Sequence, residues 1–144
     1  MEFITGEQFL KEDKEVQEVV DNSIKLCIGD RIYHKLSEKY YIYLGEYNEV
    51  FWNVFDLENK CTRVVCKDYF CRCLREGELR EFIEDITGYR MLSDYNDHEG
   101  YSVWLYCKEG ELKNKYRRLG KDLLQAYWEV ATKVAKESIN KKGR

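Results

Sequence analysis

Three groups of side chains in this chain have types and spacings that suit chemistry: a run of cations, a band of aromatics and a cluster of thiols. Lys113, Lys115, Arg117, Arg118 and Lys121 crowd together around Tyr116, just ahead of a helical pattern and next to Gly120. Free amides at a helix start attract anions, and flanking guanidinium groups add charge-assisted hydrogen bonds. A tyrosine among them can stack on a ring. The expectation is a site for a small phosphate-bearing ligand or a nucleic-acid backbone, set against the plainer reading of a solvated connection.

The aromatics are Tyr33, Tyr40, Tyr41, Tyr43, Tyr47, Phe51, Trp52 and Phe55. Strand alternation sends Tyr41 and Tyr43 to one face, and Tyr40, Ile42 and Leu44 to the other. Tyr41, Tyr43, Tyr47 and Trp52 are expected to form an interaction face for a partner or a second copy. The competing expectation is that the chain's own helices cover this face.

The thiols are Cys61, Cys66, Cys71 and Cys73, with Cys27 and Cys107 farther off. Four thiolates at tetrahedral corners hold zinc, and the usual knuckle places two sulfurs on a tight turn two residues apart. The spacing here is four, four and one. In a strand, Cys61 and Cys66 point to opposite faces. These cysteines are therefore expected to pack as small apolar residues, with no metal and no cofactor. Catalysis would need a base, and the chain has only His34 and His98. Asp94 and Asn96 followed by Gly100 lack the remaining ligands of a calcium loop. No glycine-rich phosphate loop or dinucleotide fingerprint is present. Binding is expected rather than bond-making.

The elements that must position these groups read as follows. Thr5 caps a first helix, with Gln8 three residues on as in a capping box, and the helix closes at Asp21-Asn22-Ser23. Strands follow at Arg31–Leu36, Tyr40–Leu44, Val50–Phe55 and Cys61–Lys67, a meander expected to curl toward a small barrel. Glu76 to Thr87 is helical, with Gly88 as its C-terminal cap. Tyr89–Ser93 and Tyr101–Cys107 are strands around an acidic loop. A linker rich in Lys and Arg then leads to a helix over Lys121–Ser138, and residues 140–144 are expected to fray. The fold class is α+β: an N-terminal helix, a curled antiparallel sheet, a linking helix, then β-β-α with a long C-terminal helix. The 144 residues are expected to form one domain, with subdomains at 24–75 and 76–140.

Composition narrows the class of function. A formal charge of -3 gives no global field favouring phosphate backbones, so nucleic acid would need a local patch. No run approaches a membrane span and Met1–Glu18 does not read as a secretory signal, so six reduced cysteines in the cytoplasm are expected.

Gly29-Asp30-Arg31-Ile32-Tyr33-His34-Lys35, then Tyr41-Ile42-Tyr43-Leu44-Gly45, Val54-Phe55-Asp56 and Arg63-Val64-Val65 resemble the opening of SH3-like small barrels over residues 28–73. The short, proline-free, Lys/Glu/Tyr/Asn-rich chain as a whole resembles accessory proteins of phages and prophages from low-GC bacteria. That likeness implies a phage-encoded antagonist of host defence, which blocks a host protein or sequesters an anionic, nucleotide-like ligand. The alternatives are a small nucleic-acid-binding regulator, and an enzyme or zinc module built on the cysteine cluster.

Overall fold

The protein's structure, a computed structural model, describes residues 3–142. Its contacts fall into two units. The first takes in Thr5–Lys11 and Lys25–Cys73, and the second Glu12–Ile24 and the residues from Leu74 onward, with residues 3–4.

In the first unit, helix α1 (Gly6–Leu10) starts on the expected box: Thr5 Oγ1 accepts from the Gln8 amide at 3.2 Å, and Gln8 Oε1 accepts from the Thr5 amide at 3.4 Å. The helix is short because Asp13 starts a separate one. α1 packs on the sheet through Gly6, where a Cβ would stand 2.2 Å from the Tyr33 ring, so only glycine fits.

Five antiparallel strands follow: β1 (Arg31–His34), β2 (Tyr40–Glu46), β3 (Phe51–Asp56), β4 (Cys61–Cys66) and β5 (Phe70–Arg72), in the order β4-β3-β2-β1-β5. The tight turns are built by side chains. Asn48 Oδ1 accepts from the Val50 and Phe51 amides at 2.8 and 2.9 Å. The Asp56 carboxylate, 2% exposed, accepts from the Glu58 and Asn59 amides, from Asn59 Nδ2 and from Arg63 Nε. These bonds hold its carboxyl below the usual range, the Asn59 side chain foremost.

This sheet corrects the expected curled, SH3-like barrel: it is open. Closure requires a ladder between the two edge strands. β5 has only three residues, all paired with β1, and β4 pairs with β3 alone. Most of β4 is exposed, as suits a free edge.

In the second unit, α2 (Lys14–Ser23) and α3 (Glu76–Thr87) pack with α4 (Leu123–Lys142). α3 ends at Gly88 with φ 73, the left-handed cap expected there. The antiparallel sheet is β6 (Arg90–Asn96), β7 (Gly100–Tyr106) and β8 (Leu112–Tyr116), in that order. The expected β-β-α ending is thus β-β-β-α, because part of the presumed basic linker is strand β8. α4 begins at Leu123, and Asp122 caps it by accepting from the Gln125 amide at 3.0 Å. It runs on to Lys142 through the region expected to fray; Gly143 and Arg144 lie outside the described residues. Among the described residues, no helix is long and apolar enough to cross a membrane.

Candidate functional site

Burial along β7 alternates from Ser102 to Tyr106, which separates two faces of the second sheet. Met91, Val103, Leu105 and Tyr116 are buried, and Ser93 Oγ lies 3.1 Å from the hydroxyl of Tyr127 on α4, so this face meets the helices. The other face carries Trp104 and Tyr106, both half-buried, on the central strand. Cross-strand pairing sets Arg90 and Leu112 beside Tyr106, and Leu92 and Lys115 beside Trp104. Leu92 and Leu112 are 56% and 43% exposed, so this aromatic face is open.

At one end of that face, beside Tyr106, lies a cavity of about 450 Å³. Arg80, Glu84, Arg90, Met91, Leu92, Tyr106, Cys107, Lys108 and Gly110 line it. A neighbouring hollow of about 300 Å³ shares Glu84, Arg90 and Lys108. The lining residues have different work to do. Arg80 Nη2 donates to the Met91 carbonyl at 2.8 Å, and Glu84 Oε2 accepts from the Met91 amide at 3.1 Å. Two α3 side chains thus satisfy the free edge of β6 as a neighbouring strand would. Arg80 Nε also lies 3.5 Å from Glu84. Arg90 and Lys108, by contrast, have no ion-pair partner among the described residues. Two cations beside an open tyrosine ring and an apolar wall suit an anion that carries a flat ring. Cys107 also faces the cavity, where its thiol holds the Glu109 carboxyl below the usual range, and no histidine lines the wall.

The basic residues singled out in the sequence do not converge. Lys115 lies on the open face, with Nζ 4.4 Å from the centre of the Trp104 ring. Lys113 is 3.0 Å from Glu111 and lines a different hollow, on the helix side. Tyr116 is buried there too: its hydroxyl accepts from Asn114 Nδ2 at 2.9 Å. Burial, then the charge of Glu137, pushes its pKa up to about 12. Arg117, Arg118 and Lys121 are exposed along the connection to α4. In the first turn of α4 the Gln125 amide already donates to the Asp122 carboxylate.

Of the aromatic band, Tyr33, Tyr41 and Tyr43 are buried, Tyr40, Trp52 and Phe55 are half-buried, and Tyr47 and Phe51 are exposed. Tyr41 and Tyr43 pack with Ile32, Val54 and Phe70. Trp52 lies edge-on to Tyr43 at 4.9 Å and stacks on Phe70 at 5.8 Å. Of the four residues expected at an interaction face, Tyr47 is well exposed at 63%, Trp52 is half-buried, and Tyr41 and Tyr43 are buried.

None of the six cysteines is joined in a disulfide. Cys61 and Cys66 sit on edge strand β4, while Cys71 lies in β5 at the opposite edge and Cys73 just beyond it. Among the described residues, no three His, Cys, Asp or Glu side chains gather as metal ligands do.

The residues missed by sequence reasoning are Arg90, Trp104, Tyr106 and Lys108. A signal for them existed: Val103 and Leu105 alternate with Trp104 and Tyr106, more apolar surface than one covered face needs.

No family model, no curated protein and no solved structure matches this chain. The likeness to phage accessory proteins rests on composition and style alone, and with no match behind it that resemblance is withdrawn.

Proposed function

We propose that this chain is a non-catalytic binding protein for an anionic, nucleotide-like ligand. The ligand is held at the open face of the second sheet. Arg90 and Lys108 take the charged group, Tyr106 takes the ring, and Leu92 supplies apolar contact. The observation that carries this reading is the pair of cations, without ion-pair partners among the described residues, beside a half-buried aromatic in a cavity of about 450 Å³, within the size range of small-molecule sites. The net charge of -3 does not oppose it, since charges farther off than the Debye length of about 8 Å are largely screened. Six cysteines outside disulfides fit work in a reducing compartment such as the cytoplasm. The role proposed for such a site is sequestration of its ligand.

The test is calorimetric titration with thymidine monophosphate and with inorganic phosphate. The nucleotide should bind more tightly than phosphate alone. Arg90→Ala with Lys108→Ala should weaken it by at least about tenfold, since bonds to charged groups contribute roughly 1.5–3 kcal/mol each. Unchanged binding by the double variant overturns the assignment.

A second reading rests on Leu92 and Leu112, which flank Trp104 and Tyr106 with Arg90 and Lys115 at the rim. Exposed aromatics with arginine at the edge are the composition of a protein-docking hot spot. Binding to a partner protein that is lost in Leu92→Asp, with no nucleotide affinity, would favour that reading.

A further inference from the structure

The cavity explains one end of the aromatic face and leaves the other without a role. Trp104 and Tyr106 stand two residues apart on one strand and one face, which separates them by roughly 6.6 Å. That is close to the step between successive nucleotides in an extended strand. Cations lie at both ends of the pair. Arg90 and Lys108 are beside Tyr106, Lys115 is over Trp104, and exposed Arg117 follows one residue beyond β8. The pairing Arg90–Tyr106 on one side of β7 and Trp104–Lys115 on the other makes the path between cations diagonal across the sheet. Asp94, Asp97 and Glu99 gather at the β6–β7 turn, where they repel a phosphate backbone and steer it toward β8.

Resting on the reading above, we infer that the ligand is a single-stranded nucleic acid. One base stacks on Tyr106 and the next on Trp104, while the backbone runs from Arg90 and Lys108 to Lys115 and Arg117. A free mononucleotide would use only the cavity end. A duplex hides the faces of its bases and cannot use the two rings.

The test compares thymidine monophosphate, hexathymidylate, hexauridylate and a duplexed hexathymidylate by fluorescence titration of the full chain. Hexathymidylate or hexauridylate should bind at least about tenfold more tightly than the monophosphate, because each stacked base adds that order of affinity. The preference between these two tells DNA from RNA. Binding should weaken as salt rises, and Lys115→Ala should reduce the slope of log affinity against log salt by about one. Trp104→Ala should bring the ratio of hexamer to monophosphate affinity close to unity. Trp104→Phe, which keeps a ring and the fold, should retain most of the ratio. Equal affinity for hexamer and monophosphate overturns this inference but leaves the cavity reading in place. Failure of both to bind overturns the two together. A duplex that binds as well as the single strand also overturns the inference, as does a ratio untouched by Trp104→Ala.

Discussion

Lys115 lies over the ring that the inferred ligand would need, and magnitudes decide whether it blocks the site. An exposed cation–π contact contributes about 0.5–1 kcal/mol, whereas stacking a base on an aromatic side chain contributes about 1–3 kcal/mol. A stacking base would displace the ammonium, leaving it to meet a phosphate. Other single residues carry stability. Gly6→Ala forces a methyl into the Tyr33 ring and should cost about 1–3 kcal/mol by urea unfolding. Burial among Tyr41, Tyr69 and Phe70 holds His34 below its ordinary 6.5, and its Nδ1 accepts from the Ser37 amide at 3.0 Å. The neutral ring is therefore favoured in the folded state. As pH falls through 6.5 the unfolded chain takes up the proton first. The stabilisation from His34 should thus be whole above that pH and decline below it, toward the lower folded-state pKa. Urea midpoints at about pH 7 and pH 5 should differ more in the wild type than in His34→Phe; equal differences would remove His34 from this role. Asp56 works at lower pH. Its depressed pKa means that its contribution is present above about pH 4 and is lost as pH falls through the folded value. Asp56→Asn should flatten the acid limb of the unfolding curve.

At the scale of elements, each departure from expectation has its own local cause. β8 resembles a linker in sequence because its residues are mostly polar: Lys113 and Lys115 suit an edge strand, which charge protects from pairing with other chains. The signal that it is a strand is positional, with Asn114 and Tyr116 placed opposite Leu105 and Val103. Val16, Val19 and Val20 extend the apolar stripe begun by Phe9, yet Lys11-Glu12-Asp13 breaks the helix into α1 and α2. α4 was read two residues early. Asp122, not the residues before it, closes the helix start, and Asp122→Ala should cost about 1 kcal/mol by thermal or urea unfolding. A variant as stable as the parent would show that the cap contributes nothing.

At the scale of the whole chain, the cysteines test how the strands are arranged. Cys27 and Cys61 are exposed, while Cys71 and Cys73 are buried. In native buffer a thiol reagent should modify the first pair quickly and the second only after denaturant is added, with mass spectrometry locating the labels. Rapid native labelling of Cys71 would contradict the seating of β5 against α1. The open sheet has no barrel interior, and Tyr41, Tyr43 and Phe70 of the first unit pack as core on one of its faces.

Local chemistry along the chain was enough to specify the Thr5 capping box, the Gly88 cap and most strands, because each depends on neighbours a few residues away. Whether the first sheet closes, which face of β7 meets α4, and that Arg90 and Lys108 meet beside Tyr106 were decided only by tertiary structure. Those outcomes turn on contacts between residues distant in sequence. Periodicity says that a strand has two faces; what covers each is a property of the packed chain.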